Sequence, residues 1–168
     1  MINANLYRTV ILMSKLENLE KDLKVFEKEL KDYKTLRIER VVDFLRYITA
    51  HKDEIDFFIK HGLTFNATKD EYVYYSLTGP IIGINVREIE TSTLVVEDRA
   101  EGWVVAEYYD NEDRADERIY PLETYIKKII NEGTFNEAKA FFDESLDTVR
   151  RNILYNRESA KKLKDFNL

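Results

Sequence analysis

Residues 70–89 read DEYVYYSLTGPIIGINVREI, and the fold class turns on this stretch. Tyr72, Val73, Tyr74, Tyr75 and Leu77 are strand formers, Gly79-Pro80 is turn chemistry, and Ile81 to Ile89 reads as a second strand. A helical period cannot be fitted through that turn. Downstream the same pattern continues: Thr93 to Glu97 is a third strand, Trp103 to Tyr109 a fourth, and Arg118 to Tyr120 a short fifth. Connections this short join antiparallel neighbours rather than βαβ units.

Upstream, the apolar spacing is helical. Leu16, Leu23 and Leu30 lie seven apart, Leu19, Phe26 and Tyr33 form a second row, and Leu12 extends it. A first helix is predicted from about Asn3 to Tyr33. Such a seam is met either by a helix lying on its own core or by a coiled-coil homodimer, and the first is commoner in globular proteins. A second helix is predicted from about Leu36, with Ile38, Val41, Val42, Leu45 and Ile48 on one face. A third carries Ile55, Phe58 and Ile59 and stops at His61-Gly62.

After the strands, Pro121 suits a first helical turn, and Leu122, Tyr125, Ile126, Ile129 and Ile130 give an apolar face that Gly133 closes. Thr134-Phe135-Asn136-Glu137 has capping-box spacing and opens a last helix to about Leu163. Its apolar row runs through Phe142, Leu146, Val149, Ile153, Ala160 and Leu163, with Asn156 interrupting. The expectation is one α+β domain over 1–168: helices about 3–61, an antiparallel sheet of four to five strands about 70–120, and helices about 122–165. The long first and last helices would pack beside the sheet.

Composition bounds the rest. With 168 residues, 44% hydrophobic, the chain can build one core but not two comfortable ones. Five glycines and two prolines leave little room for linkers. Having no cysteine, it forms no disulfide, thiolate metal site or thiol nucleophile, which suits a reducing cytoplasm. Asn3, Asn5 and Arg8 interrupt the first apolar residues, so no secretory signal is expected. Nor does any apolar run approach the ~20 residues of a membrane helix.

The charge is uneven. Between Arg87 and Glu117, eleven acids face three bases, a net of −8, so the remainder of a chain at −6 sums to +2. Concentrated acids on strand ends and hairpin loops favour a basic partner, and could imitate the phosphate array of nucleic acid. A merely solubilising set of turns has the same composition. Direct nucleic-acid binding is disfavoured because bases are diluted among acids and form no stripe with aromatics.

Motifs for chemistry are missing or partial. Asp110 to Glu117 resembles a calcium loop, but Ala115 and Pro121 stand where an EF-hand needs glycine and a bidentate acid. His51 and His61 are ten apart with no third ligand in sequence. No serine sits in a nucleophile elbow, and neither P-loop nor GxGxxG is present. Trp103, Tyr108 and Tyr109 are of the kind that supply binding energy at an interface, but on a strand such residues are more often core. No metal, cofactor or catalytic group is expected. The alternatives to a binding protein are a metal-dependent hydrolase or nuclease with an unrecognised carboxylate cluster, and a scaffolding protein built on the helical seam.

The acidic strand segment, the missing cysteine, the length and the AT-rich residue usage together resemble small phage-encoded host-takeover proteins, in particular the sliding-clamp inhibitors of staphylococcal bacteriophages. The resemblance implies a protein that binds the bacterial replicative clamp in the host cytoplasm, occupies its DNA channel and blocks loading. Clamp ligands generally lead with glutamine, and this chain has none; Leu23-Lys24-Val25-Phe26 and Leu163-Lys164-Asp165-Phe166 offer only the apolar positions. The contact is therefore expected through the positive channel, by Glu97, Asp98, Glu101, Asp110, Glu112, Asp113, Asp116 and Glu117.

Overall fold

The structure, a computed structural model, describes residues 4–87, 90–109 and 117–165, and the side-chain surroundings of 12–87, 90–109 and 117–162. Two compact units are distinguished, Met1–Val42 and Asp43–Leu168. Helix α1 spans Ala4–Ala50 and so supplies the described part of the first unit and opens the second. The break expected between Tyr33 and Leu36 is absent. Thr35, a weak helix former, donates its hydroxyl to the Lys31 carbonyl at 3.1 Å and is accommodated within the helix. No helix among the described residues is long and apolar enough to cross a membrane.

In the second unit, α2 (Lys52–Lys60) buries Ile55 and Phe58. The chain then enters β1 (Phe65–Lys69), which pairs antiparallel with β2 (Tyr72–Ser76) as a separate two-stranded sheet. Strand β1 goes beyond the sequence reading, which began the sheet near Asp70. The two residues between the strands, Asp70 and Glu71, both have positive φ, 50° and 68°. That is the geometry of a tight hairpin turn, made here without glycine or asparagine.

The larger sheet is a meander in the order β3-β4-β5-β6, with β3 Ile81–Val86, β4 Thr91–Arg99, β5 Gly102–Tyr109 and β6 Glu117–Pro121. Helix α3 (Leu122–Glu132) follows directly and ends at Gly133, whose φ of 75° is the left-handed C-terminal stop. Helix α4 (Phe135–Asp165) completes the described chain. The expected α+β architecture with long terminal helices and an antiparallel four-stranded sheet is what the fold shows.

The pleat assigns the two faces of the large sheet. Cross-strand partners share a face, so Ser92, Leu94, Val96, Val105, Glu107 and Tyr120 lie on one side. Thr93, Val95, Glu97, Arg99, Ala106, Tyr108 and Glu117 lie on the other. Helix α3 packs against β5 and β6, and α4 against β1 and β3. One apolar cluster joins Ala67 of β1, Ile81 and Ile84 of β3, Val95 of β4 and Phe141 of α4, with Tyr74 and Tyr108 against it. Beside it, Phe44 on the last turns of α1 meets Phe135 edge-on at 5.1 Å and Phe142 at 6.3 Å. The register is pinned at the start of β3. Gly79 lies so close to β4 that an added Cβ would stand 1.9 Å from the Val96 carbonyl oxygen, and the Ile81 amide donates to the buried Ser145 hydroxyl of α4.

Candidate protein-binding surface

Of the eight acids expected to meet a partner, Asp110, Glu112, Asp113 and Asp116 lie outside the described residues, as does most of the calcium-loop-like stretch. The other four are placed by strands β4 to β6, and the fold does not bring them onto one open face. Asp98 and Glu101 sit at the β4–β5 hairpin end, whereas Glu117 pairs with Tyr108 at the far end of β5. Asp98 and Glu117 also lie on opposite faces of the sheet.

Glu97 is buried, at 7% exposure. Its carboxylate accepts the Arg99 Nε–H at 2.7 Å and the Tyr108 hydroxyl at 2.5 Å. The same guanidinium reaches Glu117, so one arginine ties β4 to β6 over the tyrosine of β5. The hydrogen bond to Glu117, then that to Glu97, holds the arginine above its usual range, and the reciprocal bond from Arg99 lowers Glu117. Burial, followed by the bond to Glu97, pushes the Tyr108 phenol up to about 12.

Asp98 is half-exposed and bonds Lys52 of α2, which is also 3.2 Å from Asp56 and lies 5.4 Å from the centroid of the Trp103 ring. Glu101 is exposed on the tight β4–β5 turn. A third hub repeats the arrangement elsewhere: Arg150 of α4 binds Glu54 through two bonds of 2.6 and 2.5 Å and Asp147 through one of 2.7 Å. In each hub one cation serves two carboxylates.

A buried acid that the sequence did not single out lies on the α3 side of the sheet. Glu107 is 4% exposed and accepts Ser92 Oγ–H at 2.7 Å, Asn85 Nδ2–H at 3.1 Å and Tyr120 O–H at 3.0 Å. The buried Tyr109 hydroxyl is close by but forms no hydrogen bond of good geometry. Burial pushes the Glu107 carboxyl up, but the surrounding donors outweigh it and the net shift is downward. The only sequence signal was its place on a strand otherwise apolar at alternate positions. Glu107, with Tyr125, Lys128, Glu132 and Glu137, lines a hollow of about 220 Å³. On the opposite side, a wider trough of about 860 Å³ runs between β1–β2 and the sheet, lined by Tyr72, Tyr74, Tyr75 and Tyr108.

The histidines serve packing. His51 Nδ1–H donates to the Tyr47 carbonyl at 2.8 Å with its ring against Phe142, and the His61 ring lies tilted against Phe57 with centroids 4.4 Å apart. Among the described residues no group of three or more His, Asp or Glu is arranged to hold a metal ion. No protein-family model, curated protein or solved structure matches the chain.

Proposed function

We propose that the chain acts by binding a basic protein surface rather than by catalysis, with the exposed acids of β4–β6 and their turns, and those of the connection between β5 and β6, making the contact, and with the buried Glu97 and Glu107 holding the strands beneath. One observation carries this reading. Among the described residues two cations placed among these acids are each shared, Arg99 by Glu97 and Glu117 and Lys52 by Asp56 and Asp98, while Arg118 lies over the Tyr109 ring. Pairing therefore orders the carboxylates without cancelling their charge. By sequence, residues 43–168 carry −8 and residues 1–42 carry +2. Fixed negative groups on strands raise the local potential at no cost of reorganisation when a positive surface arrives.

The resemblance to phage clamp inhibitors narrows the proposed partner to the bacterial sliding clamp, met through its positively charged DNA channel in the host cytoplasm. Blocked loading of the clamp and arrest of host replication would follow. The test is size-exclusion with light scattering of the full chain, alone and mixed with a purified clamp, at low and moderate salt. A shared peak that weakens with salt supports the reading, and DNA loading becomes the next assay. No complex at either salt discards the clamp. Replacing Asp110, Glu112, Asp113 and Asp116 together by Lys should weaken the complex and flatten its salt dependence. Unchanged affinity and salt response would sink the acidic contact even if the clamp binds.

A further inference from the structure

Leu12, Leu16, Leu19, Leu23, Phe26, Leu30 and Tyr33 alternate at spacings of four and three along α1, and every one is exposed, by 39 to 63%. A helix that serves its own domain's core buries such a stripe. An apolar seam of seven-residue period that stays exposed for three heptads is the surface a second helix covers in a coiled coil. We infer that residues 12–33 form a parallel, two-stranded coiled coil with the same segment of a second copy of this chain.

The flanking charges choose both occupant and direction. With Leu16, Leu23 and Leu30 at the first apolar position of each heptad, Lys15, Asp22 and Glu29 precede them, and Glu20, Glu27 and Lys34 follow the second apolar row. In a parallel pair each preceding residue meets the following residue of the next heptad on the other copy. Lys15 then faces Glu20 and Glu29 faces Lys34, both attractive, with Asp22 against Glu27 as one repulsion per side. An antiparallel pair that matches the apolar rows sets Leu16 opposite Tyr33 and Leu23 opposite Phe26. Its charged neighbours are then Glu20 with Glu27 and Asp22 with Glu29, all of like sign; in the other matching register, with Leu16 opposite Phe26, Lys15 faces Glu29 but Glu20 and Asp22 each meet their own copy, so attraction and repulsion cancel. The parallel pair is therefore the complementary one.

Covering seven such side chains on each of two copies removes on the order of 1,200 Å² from water, at the lower edge of stable interfaces. A dissociation constant on the order of micromolar is expected from a seam of this size with one repulsive pair per side. This inference does not depend on what the acids of the sheet bind.

Sedimentation equilibrium of the full chain over a dilution series around that range tests it. The expected result is a dimer that dissociates on dilution and becomes monomeric in Leu23→Asp. A monomer at every concentration, a trimer, or a dimer indifferent to Leu23→Asp overturns it. Direction is read from Glu29→Lys, which turns two attractive pairs of the parallel dimer repulsive and should weaken it about tenfold, while adding Lys34→Glu restores it. In the antiparallel pair with Leu16 opposite Tyr33 the same Glu29→Lys would relieve the contact with Asp22 and tighten the dimer, and in the other register Lys34→Glu would fail to restore it, so tightening or failed restoration refutes the parallel form. Because the chain has no cysteine, Leu16→Cys alone should cross-link two copies under mild oxidation, and Lys21→Cys on the outer face should not. Absence of the Leu16→Cys cross-link in a confirmed dimer also refutes it.

Discussion

Removing the acceptor at Glu107 should destabilise the second unit, and the size of the loss should depend on pH in a defined direction. The carboxylate takes three hydrogen bonds from neutral donors, at 2.7 Å from Ser92, 3.1 Å from Asn85 and 3.0 Å from Tyr120, in a site 4% exposed. Glu107→Leu strands all three donors. Ser92, itself 3% exposed, has no access to water, whereas Asn85 and Tyr120 are half-buried and recover part of their hydration. At roughly 1–3 kcal/mol for a buried unpaired group, the expected loss is about 3 kcal/mol near neutral pH. Glu107→Gln keeps one acceptor and lets its amide donate to the Tyr120 oxygen, so about 1.5 kcal/mol is expected. By thermal unfolding the leucine variant should melt about 10 °C below the parent.

The pH dependence follows from the lowered carboxyl pKa. A group whose folded pKa lies below its unfolded value, about 4.3 for glutamate, adds stability above the unfolded pKa and loses it as pH falls through the folded one. Both variants lack this titration. The gap between parent and variant should thus be constant from pH 7 to about 5 and narrow below about 4. Urea titrations at pH 7 and pH 3.5 measure it. A gap that widens in acid would mean burial outweighs the hydrogen bonds, and would refute the account of how this carboxylate is held.

Arg99→Met should cost about 3 kcal/mol in urea, because it leaves the buried Glu97 with the Tyr108 hydroxyl alone, whereas Glu117→Gln at the more exposed end of the same bridge should cost less than about 1 kcal/mol. Equal effects would show that Glu97 does not depend on the arginine. Gly79→Ala should cost at least about 3 kcal/mol, since its Cβ meets a backbone oxygen that can move only with β4. Gly133→Ala, in open space but at φ 75°, should cost about 1 kcal/mol by the same assay. Lys52→Ala should alter the emission of Trp103, the chain's single tryptophan, while leaving the urea midpoint nearly unchanged; an unchanged spectrum would mean the ammonium does not sit over the ring in solution.

Much of the architecture is legible in the sequence because pattern and element agree locally. From Gly79 onward each expected strand and helix corresponds to one in the fold, since turn chemistry and alternation point the same way at Gly79-Pro80, Pro121 and Gly133. Strand β1 was hidden because its alternation has only Phe65 and Ala67 on the apolar side, too short a row to register, and because its turn uses Asp70 and Glu71 in a conformation that glycine usually announces. The continuity of α1 was hidden by Thr35, whose helix-compatible hydrogen bond to Lys31 is a local detail that propensity does not carry.

The acids show why charge is easier to read than its destination. The sign and location of the −8 segment are plain in sequence, but the pairings that organise it reach beyond sequence neighbours. Lys52 reaches Asp98 from 46 positions away, and Arg99 reaches Glu117 across two strands. In sequence Glu97 and Asp98 are equivalent acids, and the pleat separates them: Glu97 turns inward beside Tyr108, Asp98 outward toward α2. On the binding reading this distinction decides where a basic partner can gain most. Arg99 is held by an acid that would be left buried and unpaired if the arginine moved, so a partner's cation cannot displace it cheaply. Lys52 is an exposed ammonium on a flexible stem, and its exchange for a partner's arginine costs only a surface ion pair. Among the described residues the hairpin end, with Asp56, Asp98 and Glu101, is therefore the part of the acidic segment most open to a partner, and the Glu97–Arg99–Glu117 bridge is the frame that keeps the strands beneath it fixed.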